Sequence, residues 1–176
     1  MPTRRSMIAL LSAVLLATLA MTAIGTPAQA SSFRQIPNYG NGKCIDVATE
    51  DWSTVQLWHC GGGPEQQWAE TWLSGGDGLN LMLVDKMTGT CLGVRDDSTE
   101  VGAPVQAVGC VSASTVWHND YASNEHADGW HQQLRNVNSG LCLDLYFNRS
   151  ADGTIIQQWW CSNQLTSYNP AQLWML

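Results

Sequence analysis

The chain has 176 residues, enough for one domain or for one domain behind a targeting segment. Lys and Arg total 8 against 15 Asp and Glu, a formal net charge of −7, which argues against a partner held through its phosphates, nucleic acid above all. Hydrophobic residues make up 44%, enough for a core, while charged residues are only 13%, about half the usual share.

The chain opens like an export signal. Arg4 and Arg5 precede an apolar run from Met7 to Ile24, and Ala28-Gln29-Ala30 forms a small-x-small cleavage site before Ser31. A membrane anchor needs a similar apolar length, about 20 residues. Pro27, the Ala-x-Ala site and the lack of a following basic cluster favour cleavage instead. Residues 1–30 are therefore expected to be a signal peptide and 31–176 a secreted, extracellular domain with no membrane span after cleavage. That domain keeps six of the eight basic residues and all 15 acidic ones, a formal charge of −9. It also keeps all 9 Trp and all 6 Cys. An even cysteine count in an exported chain implies disulfides.

Three repeats follow, with a period near 50 residues. In the first, Ile36 and Asn38 precede Gly42-Lys43-Cys44-Ile45-Asp46-Val47. A strand-like Val55-Gln56-Leu57-Trp58 leads to Cys60. Gly61-Gly62-Gly63-Pro64 then makes a turn before Glu65-Gln66-Gln67-Trp68. In the second, a Gly/Asp turn at Ser74–Gly78 precedes the strand-like Leu79–Val84, with Leu83 and Asp85 in the places of Ile36 and Asn38. Gly89-Thr90-Cys91-Leu92-Gly93-Val94, Gln106, Cys110 and Trp117 complete it. A polar segment with His118, Asp120, Glu125, His126, Asp128 and His131 matches no standard metal-ligand spacing and reads as a solvated loop. In the third repeat, Gln133–Val137 alternates, Leu134 and Asn136 precede Gly140-Leu141-Cys142-Leu143-Asp144-Leu145, and the strand-like Ile155–Trp160 leads to Cys161. Trp174 closes the repeat. Trp159 and Trp160 are sequence neighbours on one strand, so one of the two is expected to be buried.

The only long helix-like run is in the signal, so the domain is expected to be all-β. Three copies without caps do not suit an open solenoid. Arranging them about a pseudo-threefold axis removes exposed strand edges, and Trp68, Trp117 and Trp174 then pack at the base of each wedge. Six cysteines allow 15 pairings. Repeat symmetry selects Cys44–Cys60, Cys91–Cys110 and Cys142–Cys161, each closing a short loop and contributing roughly 3 kcal/mol on chain-entropy grounds.

The ordered pattern of a Cys-x-Asp start, a Gln-x-aromatic centre and a Gln-x-Trp end, complete in the first and third repeats and degenerate in the second, resembles the ricin-B-type β-trefoil lectins, also classed among carbohydrate-binding modules. The resemblance covers nearly all of 31–176. It implies a twelve-stranded β-trefoil with up to three shallow sugar sites and no metal or other cofactor. It implies a carbohydrate-binding site from Asp46, Gln56, Trp58 and Gln66 in the first repeat, and another from Asp144, Gln157, Trp159 and Gln172 in the third. Glu65 and Ala171 stand where the family has Asn. In the second repeat, Gly93 replaces the Asp, Val108 the aromatic, and Ser114-Thr115 the Asn-Gln pair, so only Gln106 survives and that site is expected to be inactive.

The chemistry of these residues agrees. A carboxylate accepts from two sugar hydroxyls, an amide both donates and accepts, and an indole face covers the apolar face of a pyranose. Trp52 and Tyr146, in the loops after each Asp, are candidates for added stacking. The expected function is that of a secreted lectin for galactose-type or xylan-type sugars, with glycans or polysaccharides as partners. The alternative is a trefoil that binds or inhibits a protein without recognising sugar. An enzyme is not expected. A glycosidase needs two carboxylates about 5–10 Å apart across one cleft, whereas Asp46 and Asp144 belong to different repeats. No Gly-x-Ser-x-Gly, Walker or His-Glu-x-x-His motif is present.

Overall fold

The computed structural model describes residues 32–121, 131–163, 167 and 169–176. The expected signal peptide lies outside the described residues, as do Glu125, His126 and Asp128 of the polar segment.

Short strands alternate with turns throughout. The first repeat holds β1 (Phe33–Arg34), β2 (Cys44–Val47), β3 (Val55–Trp58) and β4 (Trp68–Trp72). The second holds β5 (Asn80–Asp85), β6 (Cys91–Val94), β7 (Val105–Val108) and β8 (Trp117–Tyr121). The third holds β9 (Gln132–Asn136), β10 (Cys142–Leu145) and β11 (Thr154–Trp159). The twelfth place is taken by Trp174, which makes single bridges to Asn38 and to Gln132. Strand pairing is antiparallel throughout.

The repeats superimpose at the level of register. In the hairpins β2–β3, β6–β7 and β10–β11, Asp46, Gly93 and Asp144 lie opposite Gln56, Gln106 and Gln157. Each repeat is joined to the next through its closing tryptophan: Trp68 pairs with Asp85, Trp117 with Asn136, and Trp174 with Asn38. This three-lobed, all-β arrangement is a β-trefoil.

The burial pattern explains the elements. Strand β5 alternates half-buried and buried positions, as a strand with one face on the core should. Strands β2, β6 and β10 are buried at every position. One face, Ile45 and Val47 in the first repeat, joins the core. The other face carries the disulfide cysteine and the Asp. The core takes equivalent residues from each repeat: Ile36, Leu83 and Leu134, then Ile45, Leu92 and Leu143. Each such side chain contributes roughly 1.5–3 kcal/mol. Trp68, Trp117 and Trp174 are fully buried. Their indole N–H groups donate to the carbonyls of Ile45, Leu92 and Leu143 at 3.1, 2.9 and 3.3 Å, so the polar handle of each is satisfied. Disulfides join Cys44 to Cys60, Cys91 to Cys110 and Cys142 to Cys161.

Two sequence expectations fail. Trp159 and Trp160 are both exposed, at 43% and 67%. Strand β11 ends at Trp159, so the alternation does not carry on to Trp160, and the buried neighbour is Gln158. Gln158 is held by donating to the carbonyls of Ser98 and Glu100, both at 2.9 Å, and accepting from the Ser139 hydroxyl at 2.7 Å. The polar segment is not wholly a solvated loop either. His118 and Asp120 lie in β8, where Arg135 pairs with Asp120 at 2.8 Å and His118 pairs with Asp77 and Asp120. His131 is buried against the Tyr39 ring, with centroids 3.5 Å apart.

Candidate functional site

The hairpin register places each Asp beside its Gln. Gln56 Nε2 donates to Asp46 Oδ1 at 2.9 Å, and Gln157 Nε2 donates to Asp144 Oδ1 at 2.9 Å. A 3-10 turn, Pro64–Gln66 in the first repeat and Pro170–Gln172 in the third, then swings a second glutamine under the carboxylate. Gln66 Nε2 donates to Asp46 Oδ2 at 3.0 Å, and Gln172 Nε2 donates to Asp144 Oδ2 at 3.0 Å. Each carboxylate oxygen therefore receives one amide proton and keeps a second lone pair for a ligand.

Gln66 and Gln172 have little left to offer. Gln66 also donates to the His59 carbonyl and accepts from Gly61 N–H at 2.7 Å and from Gln35 at 2.9 Å. Gln172 also donates to the Trp160 carbonyl and accepts from Ser162 N–H and Gln133, both at 2.8 Å. Both are buried. Their amides orient the carboxylate and fasten the chain after the second cysteine.

Burial raises the pKa of Asp46 and of Asp144, against the amide hydrogen bonds that stabilise the ionised form. Glu65 and Glu50 push Asp46 up further through like-charge repulsion, whereas among the described residues no such neighbour acts on Asp144.

Each set opens into a shallow concavity of similar size. The first, about 320 Å³, combines Asp46, Gln56, Trp58 and Gln66 with Glu50 and Glu65. The third, about 330 Å³, combines Asp144, Gln157 and Trp159 with Tyr146, Phe147 and Asn169. The first is polar and acidic; the third is walled by three aromatic rings. Tyr146 belongs to the third site, as its position after Asp144 suggested, while Trp52 does not line the first. Phe147 and Asn169 were not singled out by sequence reasoning, and Asn148 only as the first residue of the formal glycosylation sequon Asn148-Arg149-Ser150. Phe147 and Asn148 sit in left-handed backbone, both at φ 53°, and Phe147 is 74% exposed. Asp96 and Asp97, at the equivalent positions of the second lobe, share this backbone at φ 55° and 51°, so the turn belongs to the repeat and the outward aromatic ring is what the third lobe adds. Asn169, two residues before Ala171, supplies an amide to the rim near the place where the family pattern has Asn. The aromatic pair at 146–147 and the asparagine near Pro170 were the available signals.

The second repeat keeps the register and loses the room. A Cβ built on Gly93 would lie 2.5 Å from Val108 Cγ2 and 3.2 Å from Ser114 Oγ. The Ser114 hydroxyl is already bonded to Asp97 at 2.6 Å and accepts from Val94 N–H at 2.9 Å. Val108 and Ser114 thus fill the space that the carboxylate occupies in the other two lobes. Among the described residues, no group of three His, Cys, Asp or Glu side chains is gathered to hold a metal ion.

The description "Ricin-type beta-trefoil lectin domain-like" matches residues 26–108 and, in a second overlapping match, 70–159. The chain belongs to that family. Solved structures agree with this trefoil. A designed threefold-symmetric protein, ThreeFoil, is 27% identical, with a TM-score of 0.67 over 81% of this chain and 95% of its own. A ricin B-like lectin from Macrolepiota procera, solved with lactose, is 23% identical, with a TM-score of 0.67 over 85% of this chain and 96% of its own. An exo-beta-1,3-galactanase from Clostridium thermocellum is 23% identical, with a TM-score of 0.68. The match covers 84% of the trefoil chain and 30% of that enzyme.

Proposed function

We propose that the protein is an exported, non-catalytic lectin whose first and third lobes each hold a neutral sugar ring. The observation that carries this reading is the twofold recurrence of one constellation: a buried Asp fixed by two glutamine amides, beside an aromatic ring, at the floor of a shallow concavity. Asp46 and Asp144 accept from two neighbouring hydroxyls of the ring. Gln56 and Gln157 supply the remaining polar contact, and Trp58 and Trp159 cover the apolar face and exclude water. Gln66 and Gln172 act as positioning residues. Galactose-type sugars are the first choice and xylan-type polymers the second. The lactose in the Macrolepiota structure and the galactan-cleaving partner of the Clostridium trefoil support that order.

The family membership and the expected signal sequence both suit an extracellular role. Among the described residues, no helix is long and apolar enough to cross a membrane. Each site is open and shallow, so monovalent affinity should be on the order of millimolar, about −4 kcal/mol. Two sites on one rigid scaffold then raise avidity on a polymer or a cell surface.

A glycan array probed with oxidised 31–176, alongside the Trp58→Ala/Trp159→Ala double variant, tests this. Selective binding by the wild type that is lost in the double variant is the expected result. No binding by folded wild type across galactosides and plant polysaccharides would overturn the reading and favour a protein partner.

A further inference from the structure

The three hairpins hand over to one another in a cycle. Thr54 bridges to Gln106, Pro104 bridges to Gln157, and Ile155 pairs with Gln56. Thr54, Pro104 and Ile155 are equivalent positions, each two residues before its repeat's glutamine. All three line a single cavity of about 360 Å³, which therefore sits on the pseudo-threefold axis.

Strict symmetry would make the walls of this axial cleft alike, and they are not. Two residues after Asp46, Gly93 and Asp144 stand Ala48, Arg95 and Tyr146. Ala48 is buried and small, whereas Arg95 and Tyr146 both line the cleft. The second lobe thus contributes a cation and the third an aromatic ring. Tyr146 and Gln157 line the axial cleft and also the concavity over Asp144, so the two spaces share a wall. The concavity over Asp46 shares no lining residue with the cleft.

We propose that the third-lobe site continues into the axial cleft as a second subsite. On this view, that lobe takes a neutral oligosaccharide of two or more rings while the first lobe takes a single ring. This rests on the sugar-binding reading of the Asp144 site.

The chemistry of the cleft suits a sugar. Among the described residues the ion pair of the Arg95 guanidinium is a loose one, 3.9 Å to the highly exposed Asp96, so its donors are open to hydroxyl and ring oxygens. Gln157 Oε1 is buried, has no hydrogen-bond partner among the described residues, and lies 3.8 Å from a Cβ built on Gly102, itself a cleft residue. A small turn of that side chain offers an acceptor where the two spaces meet. Tyr146, Pro104 and the half-exposed Ile155 give apolar faces for C–H groups. A neutral ligand is favoured over an acidic one because Asp96 and Asp97 follow Arg95 directly and offset its charge.

The test uses full-length mature protein carrying Trp58→Ala, which leaves the third lobe as the working site. Calorimetric titrations compare galactose, lactose and β-1,3-galactotriose, and in parallel xylose and xylotetraose. In the series that binds, affinity should rise about tenfold from one ring to three or four. Adding Arg95→Ala, an exposed position, should remove most of that gain and move the monosaccharide affinity by less than twofold. Ile155→Trp, which narrows the cleft, should act in the same direction. The Trp159→Ala protein, left with the first lobe, should show no gain with length. Equal affinity for short and long sugars in the Trp58→Ala protein would overturn the extension and leave the site reading standing. So would an Arg95→Ala effect equal for both lengths. No binding of either series by the wild type would overturn both.

Discussion

Replacing Asp85 by Asn should make the protein more stable, and repeat symmetry says why. Asn38 and Asn136 hold the equivalent positions in the other lobes. Asn38 Nδ2 donates to the carbonyls of Pro170 and Leu173 at 2.9 and 3.0 Å, and Asn136 Nδ2 donates to the Ser114 carbonyl at 2.7 Å. Asp85 keeps only the acceptor half of this pattern. Its Oδ1 accepts from Thr88 N–H at 2.8 Å and from the Thr88 hydroxyl at 2.7 Å. Its Oδ2 is buried and has no partner among the described residues, in a residue that is 1% exposed. Burial accordingly raises its pKa, and repulsion from Glu65 adds to this.

In Asp85→Asn, the new amide faces the Pro64–Gln66 turn, the counterpart of the carbonyls used by Asn38 and Asn136. One net hydrogen bond is worth about 1 kcal/mol, and relieving a buried unpartnered oxygen about 1–3 kcal/mol. A gain of about 2 kcal/mol at pH 7 corresponds to a Tm increase of about 4–8 °C for a domain of this size. The pH dependence has a definite sign. A folded-state pKa above the unfolded value means that the native state binds more protons in the window above 3.8, so wild-type stability falls as pH rises through it. The Asn variant lacks that contribution, while Asp46 and Asp144 act alike in both proteins. The Tm difference should therefore be largest at pH 7 and shrink as pH approaches 4. Circular-dichroism melts of both proteins at pH 4, 5.5 and 7 measure it. A variant no more stable than wild type at pH 7, or a difference that does not vary with pH, would refute the reasoning.

Gln172→Ala removes an amide that makes four protein contacts, and should cost about 3 kcal/mol in urea unfolding; a loss under about 0.5 kcal/mol would show that the amide is not architectural. Sugar affinity should be level near neutral pH and decline on acidification, beginning at higher pH than for an ordinary Asp. Asp46 and Asp144 titrate above 3.8 and lose an acceptor on protonation; calorimetry showing unchanged affinity down to pH 4 would contradict this. Gly93→Asp should not create a second-lobe site, and overpacking against Val108 should destabilise the protein by about 1–3 kcal/mol. A gain of sugar binding in that variant, measured with Trp58 and Trp159 both replaced by Ala, would show that the lobe has more room than its packing indicates.

The three-lobed fold was legible because the same buried positions recur at the same offsets. An aliphatic eight residues before each first cysteine and a tryptophan closing each repeat can only be satisfied together by a shared core. The Asp–Gln pairs were legible for the same reason, since hairpin register follows from the repeat. The orientation of a side chain was not. Gln66 and Gln172 look alike whether their amides face a ligand or the backbone, and only their partners distinguish the two. Trp160 was misjudged because alternation holds only while the strand lasts, and β11 ends one residue earlier. Asn169 stands where the matching turn of the first repeat has Gly63, and the Tyr146–Asn148 turn that carries Phe147 has no counterpart in that repeat, so neither side chain recurs between the two lobes. The axial cleft depends on bridges between lobes, which no local pattern announces.

The bridge between Asn38 and Trp174 means that the third lobe is fastened to the first much as each other lobe is fastened to its successor, except that no peptide bond is involved. Topologically the domain is a necklace whose clasp could be moved. Gly75 and Gly76 lie in an exposed turn with positive φ, joining β4 to β5. A circular permutant opened between them, with residue 176 tied to residue 32 by a short flexible linker, should keep every strand pairing and all three disulfides. Which repeat comes first is then a matter of where the ring was cut, and what each lobe presents at its surface belongs to its residues and neighbours rather than to its order along the gene.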